Sequence, residues 1–104
     1  MTSGKVHAAQ ESDLTANRFG DLVDALSSVS SPETMAAFLK DLCTTAELDA
    51  IGQRLQVARL VREGVPYQEI SRRTGASTAT VTRVAHWLRY GEGGYNLVLE
   101  GDTP

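Results

Sequence analysis

Phe19, Leu22, Val23 and Leu26 recur at the three- and four-residue steps of a helix, and Met35, Phe38, Leu39 and Leu42 repeat the pattern one segment later. The first set predicts a helix over about 16–29, ended by the run Ser27-Ser28-Val29-Ser30-Ser31. Ser31-Pro32-Glu33 opens the second helix with a capping hydroxyl, a ring that presets φ, and a carboxylate facing the positive end of the dipole. Thr44-Thr45-Ala46-Glu47 has the spacing of a capping box and starts a third helix, which runs to Glu63 and stops at Gly64. That helix carries two apolar rows, Leu48/Ile51/Leu55/Ala58 and Val57/Leu60/Val61. A stripe this wide suits burial against two neighbours, one of them from a partner subunit.

Pro66 begins a fourth helix that ends near Thr74. Gly75 permits a tight turn, and Ser77 caps a fifth helix running to about Tyr90. Gly91-Glu92-Gly93-Gly94 then breaks the chain, and Tyr95, Leu97, Val98 and Leu99 form either a short last helix or a docked tail. No strand pattern intervenes, so the expected class is all-α. The expected organisation is a flexible arm over 1–17, one helical domain over 18–99 and a tail over 100–104.

Composition narrows this only slightly. With 104 residues and 41% hydrophobic content, the chain supports one domain with a modest core. A helical chain of this size often completes its core by pairing with a copy of itself. Cys43 is the one cysteine, and His7 and His86 are far apart in sequence, so neither a disulfide framework nor a metal site is expected. No signal peptide or spanning helix of roughly 20 apolar residues is visible, which predicts a cytoplasmic protein. Catalytic arrangements are also missing: no nucleophile–base pair, paired carboxylates or phosphate loop is evident, and no cofactor is implied.

Charge is more informative than composition. The net charge of −3 argues at first against a nucleic-acid partner. Its distribution argues the other way: residues 1–65 and 91–104 each carry −3, whereas 66–90 carry +3 through Arg72, Arg73, Arg83 and Arg89 against Glu69. The positive segment coincides with two short helices broken by a glycine, the pattern of a helix-turn-helix over 66–90. Ile70, Ala76, Val81, Val84 and Leu88 converge on a small core between those helices, with Ser71 small enough for their close approach. The opposite face of the fifth helix presents Ala79, Thr82, Arg83 and His86, joined at its start by Ser77, Thr78 and Thr80. Arginine forks to guanine, threonine hydroxyls reach phosphates or base edges, and methyl groups meet thymine. Gln68, Arg72 and Arg73 on the preceding helix suit the phosphate backbone. The plainer alternative is a helical hairpin with a solvated charged face.

The run from Leu42 to Arg83, with Thr44, Glu47, Gly52-Gln53-Arg54, Gly64, Gln68-Glu69 and Thr80-Val81-Thr82-Arg83, resembles the tryptophan repressor superfamily. Leu88-Arg89-Tyr90-Gly91-Glu92-Gly93-Gly94-Tyr95 is more similar to its YerC/YecD branch, and the resemblance covers about 18–99. It implies an intertwined all-helical homodimer that offers two recognition helices to adjacent major grooves of double-stranded DNA and usually represses transcription.

The resemblance also implies an effector pocket. Arg54 and Arg83 match two arginines that sandwich the indole of tryptophan, and Thr44 matches a residue near the ligand's amino group. Arg54 is odd on its own helix, because its neighbours Ala50, Ile51, Val57 and Ala58 offer it no ion-pair partner. It either meets a ligand or a partner subunit, or lies along apolar surface with its head in water. Two positions depart from the family pattern: Val84 replaces a glycine that makes room for the indole, and Trp87 replaces a ligand-binding serine. Both intrude on the ligand's space, so tryptophan is not the expected effector, and Trp87 either fills the cavity from within or is an ordinary core aromatic. The expected function is sequence-specific, dimeric transcription regulation, with a helical protein-interaction module as the alternative.

Overall fold

The computed structural model describes residues 15–101, so the greater part of the 1–17 arm and the end of the 100–104 tail lie outside the described residues. Six helices follow in order: α1 (Arg18–Ser27), α2 (Pro32–Leu42), α3 (Thr45–Arg62), α4 (Tyr67–Thr74), α5 (Thr78–Tyr90) and α6 (Gly94–Glu100). No strand occurs among the described residues. The chain divides into two compact units, one up to Leu42 and one from Cys43 onward.

In the first unit, both helix ends obey local chemistry. Ser28 closes α1, and its Oγ donates to the Ala25 carbonyl at 2.8 Å. The Ser31 Oγ accepts from the Thr34 backbone N–H at 3.1 Å, which satisfies a donor that the start of α2 leaves open. Neither α1 nor α2 buries a single residue, despite the apolar face each carries. Phe19, at 77% exposure, is the extreme case.

The second unit holds all the buried residues described: Val57, Ala58, Ile70, Ala76, Val81, Val84, Ala85 and Leu99. The predicted capping box starts α3, with Thr44 Oγ1 accepting from Glu47 N–H at 3.0 Å and Glu47 Oε1 accepting from Thr44 N–H at 2.8 Å. Only part of the α3 stripe is covered. Val57 and Ala58 are sealed, while Ile51 keeps 50% of its surface exposed. Helices α4, α5 and α6 all pack on α3, which makes it the backbone of the unit.

The segment after Tyr90 proves to be both helical and docked. Leu99 of α6 is buried in the core, and Asn96 Nδ2 donates to the Leu88 carbonyl at 2.8 Å. Gly91 ends α5 by donating its N–H to the Trp87 carbonyl at 2.9 Å. A Cβ at this position would lie 2.5 Å from that same carbonyl oxygen, so the close approach requires glycine.

Candidate nucleic-acid interface

The candidate surface lies on the hairpin of α4 and α5. Its inner face is apolar, with Ile70, Ala76, Val81 and Val84 buried and Leu88 packed at the margin. The burial of Val81, Val84 and Ala85 fixes the rotation of α5 and therefore turns the other face outward. Thr78, Ala79, Thr82, Arg83 and His86 all lie on that exposed face. Thr80 is half-buried, and its hydroxyl accepts from the Ser77 hydroxyl at 3.1 Å. Ser77 itself caps α5 by accepting from the Thr80 N–H at 3.1 Å. The rings of His86 and Tyr90 lie 5.0 Å apart at 48° farther along the helix.

Between the two helices Gly75 adopts φ 78°, the left-handed conformation that disfavours side chains. Hydroxyls hold the rest of the turn. Thr74 Oγ1 donates to the Ile70 carbonyl at 2.7 Å and accepts from the Ala76 N–H at 3.1 Å. Ser71 does more than permit close approach: its Oγ donates to the Ala76 carbonyl and so bridges the turn.

On α4, Gln68, Arg72 and Arg73 are exposed, as a role beside phosphates requires. Arg72 is already engaged, because its guanidinium forks onto the Glu69 carboxylate, with Nε to Oε1 at 3.1 Å and Nη2 bonded to Oε2. The hydrogen bond from Arg72 holds the Glu69 carboxyl below its ordinary range, and Arg73 adds a smaller pull in the same direction. The Arg72 guanidinium is stabilised reciprocally, chiefly by the same bond. The spacing of Glu69 and Arg72, three apart on a helix, could have revealed this pair from sequence.

The residues matched to an effector pocket occupy diverse environments. Thr44 is the exposed cap of α3, Arg54 is half-buried, Arg83 is exposed and Val84 is fully buried in the hairpin core. Trp87 retains 40% exposure instead of being sealed inside, so within one chain it does not fill a cavity from within. It lines an open recess of about 420 Å³ together with Gly91, Glu92, Gly93, Gly94 and Tyr95. Of the five matched residues, that recess takes Trp87 alone.

A family model described as Trp repressor protein matches residues 17–103. The chain belongs to the Trp repressor family. This family consists of non-enzymatic transcription factors. Bacillus subtilis (strain 168) has a relative, called uncharacterized protein YerC, that is 40% identical over 84% of both chains. A Trp operon repressor homolog from Actinobacillus succinogenes is 45% identical over 53 residues, which cover 50% of this chain and 52% of that protein. Among solved structures, a TrpR-like protein from Eubacterium eligens superimposes with a TM-score of 0.78 at 36% identity, covering 88% of this chain and 94% of that one. Membership in the Trp repressor family thus accords with the all-α helix order and the helix-turn-helix. Among the described residues, no helix is long and apolar enough to cross a membrane.

Proposed function

We propose that this Trp repressor-family chain is a sequence-specific, dimeric DNA-binding regulator of transcription that works in the cytoplasm as a repressor. The observation that carries the reading is the two-sided character of α5, buried along Val81, Val84 and Ala85 and open along Thr78, Ala79, Thr82, Arg83 and His86. A helix held by one face and displaying arginine and hydroxyls on the other has what base-edge and phosphate contacts need. Family membership supports the same reading.

Pairing with a second copy is supported by α1 and α2, which carry apolar faces and bury nothing. Residues 18–99 would then act as one domain within the dimer. Tryptophan is an unsuitable effector on this reading, since a branched side chain and an indole stand where the family pattern has a glycine and a serine.

Selection of duplexes from a random library, followed by titration at several salt concentrations, tests the function. Affinity should fall steeply with salt as phosphate contacts release counterions. Arg83→Ala should cost about 1–3 kcal/mol of discrimination between selected and unrelated duplexes. Arg73→Ala should weaken both alike and reduce the salt slope by about two in a dimer, one for each copy. If no duplex is retarded even at low ionic strength, the net charge of −3 would favour the protein-interaction module instead.

A further inference from the structure

A polar side chain of α3 reaches the turn of the hairpin. Gln53 Nε2 donates to the Thr74 carbonyl at 3.3 Å, across 21 positions of sequence. Thr74 is the last residue of α4, and the carbonyls of a final turn have no partner within their own helix. The Thr74 hydroxyl is engaged at the same time by Ile70 and Ala76, so this residue is held from both sides of the turn. A Cβ at Gly75 would meet Gln53 Nε2 at 3.9 Å, which places the amide against the turn's bend as well as its carbonyl.

Apolar packing fixes which face of α5 is buried, but it carries no direction of its own at the polar turn. A hydrogen bond between fixed groups supplies the missing direction. The recess over this bond, about 220 Å³, is lined by Leu48, Asp49, Gly52, Gln53, Gln56 and Thr74. It is open enough for water to reach the carbonyl if the amide is removed, so the loss is felt more in geometry than in stability.

We propose that Gln53 is a positioning residue for DNA recognition. Its amide fixes the hairpin on α3, so that Arg83 and its neighbours meet base edges while α4 meets the phosphates. This inference rests on the DNA-binding reading above.

The test compares the full-length wild-type chain with Gln53→Met, which keeps the volume and loses the donor, and Gln53→Lys, which restores a donor. The probes are the duplex enriched by wild type from a random library and a mixed-sequence duplex of equal length. Gln53→Met should lower the ratio of the two affinities about fivefold, the scale of one ordinary hydrogen bond, while leaving the salt slope unchanged. Gln53→Lys should recover most of the ratio, since its added charge strengthens both complexes alike. Measurements are made well below the melting transition, with helicity checked for each variant. A Gln53→Met ratio within about twofold of wild type, whatever its melting temperature, would overturn the proposal and leave Gln53 a merely structural residue. Wild type that binds neither duplex at low salt would remove the DNA reading itself, a result distinct from the first.

Discussion

At Arg72 one guanidinium faces two competing demands, a phosphate on the proposed DNA and the carboxylate of Glu69. Four arginines counted along 66–90 therefore overstate the free positive charge of the hairpin. Because the pair is exposed, it adds little to stability, and its main consequence is for binding. The carboxyl of Glu69 is depressed below its ordinary value of about 4.5, so the pair persists above that pH and is lost only as acid titrates the folded carboxyl below it. Between pH 6 and 8, about the range for a DNA titration, Glu69 stays charged and produces no pH dependence. Glu69→Gln should free Arg72, tightening low-salt binding to mixed-sequence DNA and steepening the salt slope by about one for each copy. An unaltered slope would mean that Arg72 never reaches phosphate.

Helix α5 shows how a local cap supports an outward-facing element. Ser77 closes the start of the helix, with Thr80 Oγ1 accepting from its hydroxyl, and the apolar inner face sets its rotation. Ser77→Ala should cost about 1 kcal/mol of stability, read by denaturant unfolding, with faster amide exchange in the first turn. Ser77→Asp should keep the stability, because a carboxylate also caps and favours the positive end of the dipole. It should nonetheless weaken DNA binding by placing negative charge at the proposed phosphate contact. This divergence separates the capping role of Ser77 from any role on DNA. The cap was readable from one short stretch, since it involves residues three apart.

For the whole molecule, the uneven burial is decisive. Among the described residues every buried side chain lies from Cys43 onward, whereas α1 and α2 leave theirs uncovered. Such faces are stable in water when something apolar covers them, and a second copy is the proposed cover. The melting temperature should then rise with protein concentration, as it does when folding and pairing are linked. Phe19→Asp should shift sedimentation toward the monomer and remove that dependence. A concentration-independent transition of a monomeric wild type would contradict the dimer.

Apolar spacing and capping residues were enough to place the first five helices, their caps and the buried side of α5. Those depend on interactions within a turn or two, and apolar spacing records them directly. Thr44 with Glu47, Ser31 with Thr34 and Ser77 with Thr80 fall in this class. The sequence left the end of the chain ambiguous between a helix and a tail, because Gly93 and Gly94 weaken the local pattern and only docking resolves it. Only the packed molecule shows that Leu99 enters the core, that Trp87 stays partly open, and that Gln53 reaches Thr74. Each of these depends on how one segment lies against another, and no periodicity along a single helix encodes that distance.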